Sequence, residues 1–123
     1  MNAGETPEAG GPDAATAAKL ILASLDEDKA EDIVAIDVKG KSSVADMLIV
    51  ASGRTQRHVG ALADHLMRKL KEAGAKHLRV EGMPSCDWVL LDAGDVIVHL
   101  FRPEVRSFYN IERIWTPTPA LAS

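Results

Sequence analysis

The sequence predicts an α/β (α+β) fold: one small domain with a mixed β-sheet of about five strands flanked by helices. Three observations predict it. The 123 residues suffice for a single core, with roughly two-thirds of the unfolded chain's surface buried at this size. A long amphipathic stretch after Thr55 is followed by a short apolar run, giving strand, helix, strand order. From Trp88 to Phe101, two β-branched runs flank Asp92-Ala93-Gly94-Asp95, the strongest hairpin signal in the chain.

Residues 1–13 are rich in Gly, Pro, Ala and acids, and such a segment buries too little surface to offset chain entropy. They are expected to be a disordered tail, with the folded domain spanning 14–115 and a second tail at 116–123. From about Ala14 to Asp28, Ala17, Leu20, Ile21, Ser24 and Leu25 fall on one helical stripe. Ile33 to Val38 and Met47 to Ala51 read as strands. The link between them is too short for a helical crossover, so they are expected to be antiparallel neighbours.

Ser52 or Thr55 can cap the next helix, which runs to about Ala73 and stops at Gly74. Val59, Leu62, Ala63, Leu66, Leu70 and Ala73 make its apolar stripe, and Asp64 with Arg68 and Arg68 with Glu72 make i,i+4 pairs. His77 to Glu81 returns as a strand parallel to Met47–Ala51 through a right-handed crossover. After the hairpin, Pro103 suits a first helical turn, and Val105, Phe108, Ile111 and Trp115 recur at helical spacing. Phe108 and Trp115 are expected in the core.

Composition narrows the function classes. No apolar run approaches the roughly twenty residues of a membrane helix, and the start carries no secretory signal pattern, so a cytoplasmic protein is expected. The single cysteine, Cys86, forms no internal disulfide. A net charge of -4 argues against a surface built to grip phosphates and for little direct nucleic-acid contact. A basic protein partner suits this charge better.

The motifs offer few routes to catalysis. Gly40-Lys41-Ser42-Ser43 followed by Asp46 is similar to the loop of metal-dependent nucleotidyltransferases, whose chemistry needs two or three carboxylates on Mg²⁺. Those enzymes place a second acid two residues later, where this chain has Leu48. An enzyme of this class would have to pair Asp46 with a distant acid such as Asp37, Asp92 or Asp95. His58 and His65 lie seven residues apart and Cys86 has no ligand partner at a usual spacing, so no metal site is expected. Cys86 lacks an adjacent base, and Ser52-Gly53 is not a nucleophile elbow, so no nucleophilic catalysis, cofactor or small-molecule substrate is expected. The turn near Arg54 and Arg57 reads either as an anion site or as an ordinary capped helix start.

With Ala93-Gly94 as a two-residue loop, Leu91 faces Val96, Leu90 faces Ile97 and Trp88 faces His99. One face then carries Val89, Leu91, Val96, Val98 and Leu100 and belongs on the core. The other carries Trp88, Leu90, Asp92, Asp95, Ile97 and His99, a mixture suited to neither a core nor plain solvent. It is the candidate docking face, with Trp88, Leu90 and Ile97 as apolar anchors and the acids meeting basic groups on a partner. Arg106, Tyr109 and Glu112, three apart near the C-terminus, are further candidates. An apolar and aromatic face of this kind can also pair with a second copy, giving a homodimer.

Blocks in order along 14–115 carry a resemblance. They are Asp37-Val38-Lys39-Gly40-Lys41-Ser42-Ser43, D-M-L-I-V-A-S-G from Asp46, Arg57-His58-Val59, Val80-Glu81-Gly82, D-W-V-L-L-D-A-G-D-V-I-V-H-L-F from Asp87, and R-S-F-Y-N-I-E-R-I-W from Arg106. In these the chain resembles the bacterial ribosomal silencing factor family, also called the Iojap family. The resemblance implies a nucleotidyltransferase-like topology without enzymatic activity. It also implies binding to the large ribosomal subunit through large-subunit ribosomal protein fourteen, which blocks subunit joining and lowers translation when nutrients are scarce.

Overall fold

The computed structural model describes residues 12–111. The expected tail at 116–123, most of that at 1–13, and the candidate residues Glu112 and Trp115 lie outside them. Eight elements follow one another: α1 (Ala14–Glu27), β1 (Glu31–Asp37), β2 (Met47–Ser52), α2 (Gln56–Glu72), β3 (Arg79–Glu81), β4 (Trp88–Asp92), β5 (Val96–Phe101) and α3 (Pro103–Tyr109). The strands form one sheet in the order β1-β2-β5-β4-β3. Only β2 and β5 pair in parallel, and the other three neighbouring pairs are antiparallel. The expected mixed five-stranded sheet is therefore present.

Each helix has a local reason to start where it does. Asp13 caps α1 by accepting the Thr16 N–H at 2.8 Å, and Thr55 caps α2 by accepting the His58 N–H at 3.0 Å, each satisfying an amide that the helix leaves without a partner. Both helices lie on one face of the sheet. Ala17, Ala18, Ile21 and Leu25 of α1 and Val59, Leu62, Ala63, Leu66 and Leu70 of α2 pack on Ile49, Ala51, Val89, Leu91, Val96, Val98 and Leu100. Ala73, placed on this stripe by periodicity, is exposed beyond the last helical residue. The polar pairs of α2 also depart from the i,i+4 expectation, since Lys69 reaches Glu27 and His65 hydrogen-bonds Asp28 in and just after α1.

The opposite face has a smaller core of Ile36, Val38, Leu48, Val50 and Phe101, with Val34, Trp88, Ile97, Val105 and Ile111 packed against it. β1 and β2 are antiparallel neighbours, as expected. β3 runs in the direction of β2, as the pairings through β4 and β5 require, but those two strands separate them.

The hairpin differs from expectation by two residues of register. Asp92 faces Ile97, Leu90 faces His99 and Trp88 faces Phe101, while Ala93 donates its N–H to the Val96 carbonyl. The tip is therefore Gly94-Asp95. A tip of Ala93-Gly94 would have put an alanine at the first central position, which in two-residue hairpin loops requires positive φ. Gly94 takes that position with φ 89°. A shift of two residues preserves the assignment of side chains to faces.

Candidate protein-docking face

β4 and β5 turn Trp88, Leu90, Asp92, Ile97 and His99 to the side of the sheet opposite α1 and α2, because alternate residues of a strand share a face. All five are half-buried. Asp95, expected among them, lies in the tip loop outside the paired rungs and is exposed, so strand alternation does not assign it to this face. Its backbone carbonyl accepts the N–H groups of Asp46 and Met47 at 2.8 and 3.1 Å, tying the tip to the start of β2. Asp92 accepts the Gly94 N–H at 2.9 Å, a turn-stabilising role that leaves its second carboxylate oxygen for a partner.

Phe101 shares this face and is fully buried. The expected register, with Trp88 facing His99, left Phe101 without a partner in the hairpin, although its parity with Ile97 and His99 pointed to this face. α3 lies over this end of the sheet. Tyr109 packs against Trp88 with ring centroids 4.6 Å apart and planes tilted by 45°, and Phe101 packs against the same indole at 4.9 Å. Tyr109 thus joins the cluster, whereas Arg106 turns away and donates from Nη1 to the buried Ser52 hydroxyl at 2.9 Å. Phe108, expected in the core, is instead 79% exposed. Successive contacts at Val105 and Tyr109, four residues apart, set the phase of this short helix and turn Phe108 outward. With Trp88, Val105 and Tyr109 it lines an open groove of about 470 Å³, edged by Asp87 and Glu104.

Two polar arrangements hold Trp88. Its indole Nε1–H donates to His99 Nδ1 at 3.0 Å, and burial lowers the His99 pKa to about 4, so the imidazole is neutral. Beside it, Asp87 accepts from Gln56 Nε2 at 3.0 Å and from Arg102 Nε at 2.8 Å, and these bonds hold its carboxyl below the usual range. Arg102 also reaches Glu104. The network fixes the segment that leads into β4 to the end of β5.

The chemical alternatives find a different geometry. Leu48, at the position of a nucleotidyltransferase's second acid, is 5% exposed within the smaller apolar core. Among the described residues no group of three His, Cys, Asp or Glu is placed to hold a metal ion. At the turn before α2, Thr55 serves as the cap and Arg54, expected near an anion or in solvent, pairs with Glu31 at 2.7 Å.

The fold and this face define a class: a small α/β domain that presents a half-exposed aromatic and aliphatic sheet surface edged by acids. The family model described as "Ribosomal silencing factor during starvation" matches residues 12–122. The chain belongs to the ribosomal silencing factor family. It is 56% identical over 97 residues to the ribosomal silencing factor RsfS of Zymomonas mobilis, covering 79% of this chain and 73% of that one. The crystal structure of a Chromobacterium violaceum protein superposes with a TM-score of 0.82 at 40% identity, covering 87% of this chain and 92% of that one. A mouse protein named for mitochondrial assembly of the ribosomal large subunit is 29% identical over 100 residues, 79% of this chain and 44% of the mouse protein.

Proposed function

We propose that this chain is a ribosome-associated translation regulator that acts by occupancy, without catalysis. It docks on the large ribosomal subunit through large-subunit ribosomal protein fourteen, denies the small subunit its place, and so lowers translation under nutrient limitation in the cytoplasm. Membership of the silencing factor family supports the regulatory role, and the mouse relative's name supports the large subunit as partner. The observation that carries the docking site is the half-exposed patch of Trp88, Leu90 and Ile97 beside Asp92. Large aromatic and aliphatic side chains half open to water, next to an acid, fit an interface with a basic partner better than either a core or a solvated surface.

The test is co-sedimentation with separated ribosomal subunits. The wild-type chain is expected to travel with large and not small subunits. Trp88→Ala, or Asp92→Lys with Asp95→Lys, is expected to abolish this while the circular dichroism of the free protein is kept. Folded variants that bind like the wild type would remove the hairpin from the docking site. Light scattering across concentration reads whether a second copy uses the same face, and competition by the ribosomal protein reads whether the two surfaces coincide.

A further inference from the structure

Trp88 is the largest side chain of the proposed docking face, yet its indole has rotatable bonds and needs a reason to present one edge. That reason is visible on three sides of the ring. Phe101 and Tyr109 pack against it at 4.9 and 4.6 Å, and the one polar atom of the indole donates to His99 Nδ1 at 3.0 Å. His99 is itself stacked on Phe101, with ring planes only 12° apart and centroids separated by 6.1 Å. The imidazole is thus held by the same phenyl ring that supports the indole.

We infer that His99 is a positioning residue for docking: as a neutral acceptor at Nδ1 it fixes the orientation in which Trp88 is offered to the partner, and it is not itself a charged contact. The inference rests on the docking reading above. An acceptor at Nδ1 requires that nitrogen to be unprotonated, so the proton of the neutral ring sits on Nε2. The surroundings favour that state. The strand partners of His99 are Val50 on β2 and Leu90 on β4, both apolar. The titratable groups of α3 are Glu104, paired with Arg102; Arg106, bonded to Ser52; and Tyr109, packed at a tilt against Trp88. Burial lowers the His99 pKa, and protonation at Nδ1 would break the bond from the indole. Preorganised aromatic anchors bind better because less rotamer freedom is lost on association.

The experiment uses the full chain and reads two signals. The first is the Trp88 indole Nε1–H resonance by ¹⁵N NMR, assigned by its loss in Trp88→Phe; the second is affinity for purified large subunits. In the wild type the resonance is expected downfield, as for a bonded proton, and to move with a midpoint near pH 4. His99→Leu keeps the volume but removes the acceptor, and is expected to shift the resonance upfield and weaken large-subunit binding about tenfold. His99→Asn places an amide oxygen near the Nδ1 position and is expected to recover both signals. If His99→Leu does not fold, the wild-type titration and His99→Asn carry the test. An indole resonance unchanged in His99→Leu, or one without the acid transition in the wild type, overturns the inference. So does a shifted resonance with wild-type affinity in a chain whose binding Trp88→Ala abolishes. If Trp88→Ala binds normally, it is the docking reading that fails, and the free-protein resonance still reports whether His99 orients the ring.

Discussion

Gly82 sits at φ 92°, and a Cβ there would lie 2.1 Å from the carbonyl oxygen of Trp88. The close approach brings the β3–β4 connection under the first residue of the docking strand, and only a residue without a side chain permits it. Gly82→Ala combines backbone strain with a clash against main chain, so a loss on the order of 3 kcal/mol is expected in urea unfolding. His99 supplies a second expectation at this scale. Its folded pKa of about 4 lies below the unfolded value of about 6.5, so the unfolded chain binds the additional proton between them. The neutral ring therefore contributes stability that is full above about pH 6.5 and is lost as pH falls through about 4. The loss is at most about 3 kcal/mol, less where water screens the partly open ring. Urea midpoints of the wild type and His99→Asn, compared from pH 7 to 4, are expected to show a fall that is steeper in the wild type.

Elements differ in how much of them local pattern reveals. α2 was legible in its extent and in five of its six expected stripe residues: Val59, Leu62, Ala63, Leu66 and Leu70 lie in the main core, while Ala73 is exposed past the helix end. Leu66→Ala is expected to cost about 2–5 kcal/mol, measured by the same unfolding, because the sheet beneath cannot collapse fully into the cavity. The hairpin was legible as a hairpin but not in its register, since two candidate tips shared the glycine. The requirement for positive φ at the first tip position chose Gly94. α3 was legible in its start at Pro103 but not in its phase. Its seven residues allow a stripe through Val105 and Phe108 or one through Val105 and Tyr109. The indole of Trp88, presented from β4, favours the second through its tilted aromatic contact with Tyr109.

For the whole molecule, the sheet order β1-β2-β5-β4-β3 places the β4–β5 hairpin between the β1–β2 pair and the short edge strand β3. α1 and α2 cover one side of that sheet. The other side is covered at the α3 end and half open around Leu90, Asp92 and Ile97. One covered and one half-open face suits the proposed steric effect, since a rigid core would fix the shape that a docked domain presents. Period and turn chemistry in the chain were enough for the fold class, the main helix, the strands and the division of the hairpin into a core face and an unusual face, because these depend on neighbours a few residues apart. The side-chain arrangement on that unusual face came only from tertiary packing. Phe101 is buried there, His99 bonds Trp88, Tyr109 packs against the indole and Phe108 turns to solvent because strand register and the seating of α3 are settled by contacts between residues distant in the chain.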